Sequence, residues 1–518
     1  MRLFEISIFI LLFLSSIQLF LPGEIKGIKK ARLMLWISIT SLVVIMLHLI
    51  FEGAIWQMVP AYILTGFFFI LASIGFMKSR QSLEPETDLT VEELIKRNKR
   101  RLIAKGITSL IFIVLIVLAG IIPVGMPMFD LPKPTGNYAI GTTTFQLTDH
   151  SRNETFTEDP EDYRKLLIKA WYPTDLEEIT GHIPAPCLTP EYANGLGPVI
   201  GLPDFTFSHL AQIPTNSFED VPVSQKESKY PVLIFSHGYR QGYESQNTVL
   251  MEELASHGYI IFSISHTYEA AITVFPDGNL TTSLTLEEPL IEEEERDYMN
   301  DVFSNITSPD LSIEEKKTAL LEYNNSNYWG SRMKESLAIW TNDTQFLINQ
   351  LETSNNPNTP NIFDNKLDLD LIGLFGFSFG GATAGETCLL DDRIDAGINM
   401  DGIEIGHVFE MNLTKPFIFM YSSPNNYMND VLYLQAENKT YSMVIEGTVH
   451  LNFADLCIFS PYSKYLGILG SIDGYRMLKI LNEYVVAFFD KYLKGETVSL
   501  LDSNSADYPE VKIENNGK

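Results

Sequence analysis

The chain opens on four apolar stretches of about twenty residues each, at positions 3–21, 33–51, 54–77 and 107–126. Each is long enough to cross a hydrocarbon core of ~30 Å, so residues 1–126 are expected to form a bundle of four transmembrane helices. The first stretch has no A-x-A-like cleavage site and three more spans follow it, which favours a retained helix over a removed signal peptide. Glu5, His48 and Pro60 fall in or near these spans. They read as end-snorkelling, bundle packing and a kink, respectively.

After a linker at 127–139 the pattern changes. Short apolar runs at 166–171, 232–235, 259–264, 371–375, 396–400, 417–421 and 442–445 alternate with helical patterns over residues 140–498. That alternation predicts one large α/β domain, a mostly parallel sheet with helices on both faces. Between His266 and Thr353 the spacing is broken by an insertion with an acidic run at 287–297 and a helical stretch at 332–351. The acidic run reads as a solvated helix face. Residues 266–331 are a candidate lid over the strand ends. Phe205, Phe207, Trp329 and Trp340 suit either an acyl pocket or the core. The Ser, Asn, Asp and Glu-rich segment 499–518 is expected to be a mobile tail.

Charge separates the two parts. Residues 1–125 hold 13 Lys+Arg and 8 Asp+Glu, which leaves 24 and 57 of the chain totals of 37 and 65 for the rest. So acidic a domain argues against nucleic acid as a partner and against electrostatic docking on anionic lipid. Lys26, Lys29, Lys30 and Arg32 follow the first span; Lys78, Arg80 and the cluster KRNKRR at 96–101 follow the third; Glu52 and Gly53 join the second and third without a basic residue. The bias of basic residues toward cytoplasmic loops then places the N-terminus and the α/β domain outside the cell membrane. The same bias accounts for KRNKRR without a nucleic-acid role. Three cysteines, Cys187, Cys388 and Cys457, are too few for a disulfide framework, with one pair left open.

The chemistry gathers at GFSFGG, residues 376–381, which follows the apolar run LIGLF and precedes a helical pattern. G-x-S-x-G between a strand and a helix raises a serine hydroxyl above a sheet edge, which makes Ser378 the candidate nucleophile. A serine needs a base, and the chain order serine, acid, histidine is met by Asp401, at the end of the run 396–400, and by His450, in the loop GTVH. Asp401 would orient the imidazole, and His450 would take and return the proton. Asp430 is the reserve acid. The strand pattern YPVLIFS runs into His237, Gly238 and Tyr239, so the N–H groups of Tyr239 and Phe379 are the candidate oxyanion donors. His237 reads as a structural loop residue.

FSHGY, ELASHGYIIFSISH, GFSFGGAT, NMDG and GTVHLNFADL, with KAWYP and KYPVLIFSHG, together resemble the platelet-activating factor acetylhydrolase family of α/β-hydrolases, also called lipoprotein-associated phospholipases. The likeness spans roughly residues 140–493. It implies an α/β-hydrolase fold, a triad on Ser378, Asp401 and His450, oxyanion amides on Tyr239 and Phe379, no cofactor or metal, and lipid esters with a short or oxidised sn-2 acyl chain as substrates. One departure is Phe377, where the family usually has the histidine of GHSFGG. The alternatives are an esterase, amidase or polyester hydrolase for small soluble substrates on the same fold, and a cell-surface binding module without activity.

Overall fold

The structure, a computed structural model, describes the chain apart from residues 19–23, 26–27, 82–89, 200, 285–292, 327–328 and 354–358. It divides into two compact units, Met1–Phe129 and Asp130–Lys518.

The first unit holds helices α1 (Leu3–Ile17), α2 (Lys30–Phe51), α3 (Val59–Gln81) and α4 (Val91–Gly125). Among the described residues three segments, Lys30–Phe51, Trp56–Arg80 and Val91–Gly125, are long and apolar enough to cross a membrane. The expected fourth, α1, has 15 residues. At 1.5 Å per residue that reaches about 22 Å, short of a full hydrocarbon core. The end of the predicted stretch 3–21 and Lys26 lie outside the described residues. Other readings change as well. The KRNKRR cluster forms part of α4 instead of a loop, behind a Thr90–Glu93 capping box that starts the helix. Pro60 lies in the first turn of α3, where its missing N–H costs no bond, so it is not a kink. Glu5 is buried and paired with Arg2 Nε at 2.8 Å instead of snorkelling. His48 Nδ1 meets Glu52 at 2.9 Å. Ser16 and Ser109 share hydrogen bonds between α1 and α4, where small polar residues let the two helices approach closely.

The second unit is built on β1 (Ala139–Asn153), β2 (Tyr163–Thr174), β3 (Pro184–Pro186), β4 (Pro214–Glu219), β5 (Tyr230–Ser236), β6 (Ile260–Ser265), β7 (Leu367–Phe377), β8 (Ile394–Met400), β9 (Phe417–Ser422), β10 (Thr440–Ile445) and β11 (Val511–Asn515). They form one sheet in the order β11-β10-β9-β8-β7-β5-β6-β2-β1-β4-β3. From β10 to β6 every pair is parallel, while β2 and β11 join antiparallel at either side. Apolar runs such as VLIF in β5 and FIFMYS in β9 are buried along their length because helices cover both faces.

Those helices are α5 (Pro190–Val199), α6 (Thr248–Ser256), α7 (Glu293–Thr307), α8 (Ile313–Asn324), α9 (Trp329–Glu352), α10 (Phe379–Leu390), α11 (Asp430–Gln435) and α12 (Gly474–Tyr492). One apolar core gathers α7 to α10 against β5 to β7 through Met299, Leu320, Leu337, Trp340 and Ala382. The other gathers α6 and α12 against the opposite face through Leu250, Leu254, Met477, Tyr484 and Phe488. The described part of the acidic run 287–297 belongs to α7.

The expected mobile tail is instead the sheet's last strand. β11 pairs antiparallel with β10 from Tyr441↔Asn515 to Ile445↔Val511, and Leu501, Tyr508, Val511 and Ile513 are buried. Its polar composition hides an alternating VKIEN that buries every second side chain. Deleting residues 499–518 is therefore expected to destabilise the domain by several kcal/mol, at ~1.5–3 kcal/mol for each fully buried apolar side chain. A thermal midpoint unchanged on truncation, measured on the full chain in detergent, would contradict this.

Candidate active site

Ser378, Asp401 and His450 all follow the C-terminal ends of parallel strands, where an open α/β sheet leaves a crevice. Ser378 sits between β7 and α10 with φ 56° and ψ −119°. A side-chain-bearing residue in so sparsely populated a region costs roughly 1–3 kcal/mol, held here by the surrounding packing. The flanking glycines make the turn possible. A Cβ on Gly376 would come within 2.2 Å of the Gly380 backbone, and one on Gly380 within 2.0 Å of the Ser236 carbonyl oxygen. The Ser378 N–H donates to the Met400 carbonyl at 2.8 Å, which fixes the serine beside the end of β8.

His450 Nε2 lies 2.9 Å from Ser378 Oγ, and His450 Nδ1 lies 2.7 Å from Asp401 Oδ2. Asp401 is buried, while the His450 side chain is 40% exposed and open to a ligand. The carboxylate is held by more than the imidazole. Its Oδ1 accepts the Ser422 N–H at 2.6 Å, and its Oδ2 accepts Ser422 Oγ at 2.9 Å and Asn425 Nδ2 at 2.8 Å. Asn452 Oδ1 ties the histidine loop, accepting the N–H groups of Val449 and Gly470, each at 2.9 Å. Sequence reasoning missed Ser422, Asn425 and Asn452. The NFADL motif contains Asn452, and its position two residues after the histidine was the available signal.

The reserve acid is elsewhere. Asp430, at the start of α11, pairs with Lys316 Nζ at 2.8 Å, and burial pushes its carboxyl above the usual carboxylate range. His237 is fully buried, and that burial pushes its imidazole down to about 3. It is thus a neutral linker, with Nδ1 against the Gly238 carbonyl at 2.8 Å and Nε2 accepting the His266 N–H at 3.2 Å.

Ser378 and His450 open into a cavity of about 220 Å³ whose apolar wall includes Leu196, Val199, Phe207, Leu456 and Phe459. Phe377 lines it too, with its ring centroid 4.7 Å from that of His450. The described residues of the candidate lid 266–331 do not reach this wall. The cover comes from α5 and the 3₁₀ segment Asp204–Gln212, which carries Phe207. Of the other aromatic candidates, Phe205 is exposed and Trp340 is wholly buried; the Trp329 side chain lies outside the description. Cys187, Cys388 and Cys457 are free and buried, and burial pushes the Cys187 thiol up to about 12.

Fold and site together define an α/β-hydrolase, and the chemistry is that of a carboxylic ester hydrolase. The chain belongs to the family described as platelet-activating factor acetylhydrolase, isoform II, whose sequence profile matches residues 125–506. Its relatives include the platelet-activating factor acetylhydrolase of Cavia porcellus, 25% identical over 387 residues, covering 70% of this chain and 78% of the relative. A protein of Arthroderma benhamiae named "Probable 1-alkyl-2-acetylglycerophosphocholine esterase" is 23% identical over 426 residues, 74% of this chain and 93% of its own length. Among solved structures, a ferulic acid esterase from Streptomyces cinnamoneus shares the fold, with a TM-score of 0.57 and 22% identity over 74% of this chain and 99% of that one.

Proposed function

We propose that this chain is a membrane-anchored serine esterase that cleaves short or oxidised sn-2 acyl groups from phospholipids or related lipid esters. Ser378 Oγ attacks the ester carbonyl as His450 Nε2 takes its proton, and Asp401 stabilises the imidazolium. The oxyanion is held by the N–H groups of Tyr239 and Phe379. Phe379 is the first residue of α10, where helix N–H groups have no carbonyl partner within the helix. Tyr239 lines the same cavity, its ring centroid 5.1 Å from that of Phe379. The alcohol leaves with the proton from His450, and water releases the acyl group by the same steps in reverse.

The observation that carries this reading is the unbroken hydrogen-bond chain from Ser378 through His450 to a buried Asp401, at the floor of an apolar cavity. The cavity is smaller than the ~300–1,000 Å³ typical of drug-sized ligands, which suits a short acyl chain. The named activities of the relatives support the substrate class. The apolar helices of the first unit support anchoring, and the basic residues near them support an external catalytic domain.

The deciding experiment gives the full-length protein in detergent a series of phospholipids with acetyl, butyryl, hexanoyl and palmitoyl sn-2 chains beside p-nitrophenyl esters. The acetyl lipid should be cleaved at least about 10²-fold more efficiently than the palmitoyl lipid, the discrimination that one or two misfitting methylenes already give at ~1–3 kcal/mol each. Cleavage of soluble esters alone would favour the small-substrate alternative. Repeated on intact cells, external protease should remove the activity; protection would reverse the orientation.

A further inference from the structure

Tyr239 enters the serine-esterase reading only through its backbone, yet its side chain has a partner of its own. Its hydroxyl donates to Glu269 Oε1 at 3.1 Å and lies 3.2 Å from Ser336 Oγ. Glu269 is 1% exposed. It also accepts Trp340 Nε1 at 2.7 Å and the Ser336 hydroxyl, both from α9. Its own carbonyl accepts the Arg240 N–H at 2.9 Å. One residue therefore grips the chain on both sides of the Tyr239 carbonyl, by side chain and by backbone, and ties it to a core helix.

The surroundings reinforce that grip. Arg240 has φ 65°, a backbone state that a side-chain-bearing residue holds only when its neighbours enforce it. A second rung, Ala271 N–H to the Gly242 carbonyl at 2.8 Å, laces the same two loops. From the opposite side Gln246 Oε1 accepts the Gly238 N–H at 3.0 Å. Below them the Trp340 indole stacks on the His266 imidazole at 3.8 Å between centroids, and His266 Nδ1 meets Asp343 at 2.9 Å. Asp343 is in turn held by Arg164 at 2.7 Å. The Glu269 grip is thus anchored to a buried polar network.

An amide that stabilises an oxyanion must already point at the place where charge develops, because a donor that has to reorganise loses much of its effect. We propose that Glu269 is a positioning residue, holding the Tyr239 N–H on the oxyanion through the Tyr239 hydroxyl and the Arg240 N–H. The inference rests on the serine-esterase reading. It distinguishes this clamp from packing alone by where a loss must appear: in transition-state binding, with ground-state binding left nearly intact.

The test uses the full chain in detergent. Tyr239→Phe removes the hydroxyl and keeps the ring against Trp340 and Phe379; Glu269→Ala removes the carboxylate and keeps the Arg240 bond. Tyr239→Phe and Glu269→Ala should each lower kcat about tenfold, with KM within about twofold, a fraction of the ~10²–10³ lost with a whole oxyanion donor. Affinity for an alkylboronic acid, which presents a tetrahedral oxyanion, should fall by the same factors. The double variant should lose less than the product of the two, because both cut one linkage. Unchanged kcat and boronate affinity in Tyr239→Phe would overturn the proposal, whether or not Glu269→Ala folds. Ser378→Ala is the separate control: if that variant still turns over ester, the serine-esterase reading itself fails.

Discussion

Ser378→Ala is expected to lower ester turnover by about 10⁶-fold, to the level left by binding and oxyanion contacts alone. The alanine keeps the turn's backbone demands unchanged at φ 56°, and the removed oxygen is the one 2.9 Å from His450 Nε2. The fold should therefore survive while the attacking atom is gone. A fluorophosphonate probe should modify the wild-type chain at Ser378 and leave the variant unlabelled. Labelling is the sharper measurement, because it reads the nucleophile itself and needs no knowledge of the natural ester. A variant that remains labelled at another serine and retains turnover would remove Ser378 from the reaction.

Asp401→Asn should cost about 10⁴-fold in kcat with the fold retained. The reason lies in how the carboxylate is held. The Ser422 N–H points at Oδ1 and cannot rotate away, so an asparagine must put its oxygen there. Its NH₂ then occupies the place of Oδ2, facing His450 Nδ1. The imidazole has to answer with a bare Nδ1, which moves its proton to Nε2, the atom that must accept from Ser378. The Ser422 hydroxyl and the Asn425 side-chain amide, which donate to Oδ2, can rotate to suit such a change; a backbone amide cannot. Circular dichroism should match the wild type, and kcat should separate the two. Turnover near the wild-type level would take the acid role from Asp401, and the Lys316 pairing leaves Asp430 poorly placed to inherit it.

The legible and illegible parts of this molecule differ in kind. The turn at Ser378 was readable because so tight a turn admits only glycine at 376 and 380, where a Cβ would meet backbone at 2.2 and 2.0 Å. Asp401 and His450 were readable because the parallel sheet ends each strand on the same edge, so chain order became spatial order. The covering segment was not. The insertion after β6 looked like a lid, but the described residues of α7 and α8 are spent on the core with Leu337 and Trp340, and α5 reaches the cavity instead. The last strand was misread as a tail because its polar residues face out and only alternation marks the buried ones.

By itself, then, the amino-acid order determined the apolar N-terminal unit, the α/β class and the glycine-flanked turn that carries Ser378. Each depends on residues close together in the chain: run length, alternation, or a few glycines. Only the tertiary structure decided what holds the site in shape. Ser422 reaches Asp401 from 21 residues away, and Trp340 reaches Glu269 from 71. Such bonds form between groups whose pairing depends on where the sheet and helices bring them, and no local pattern encodes that meeting.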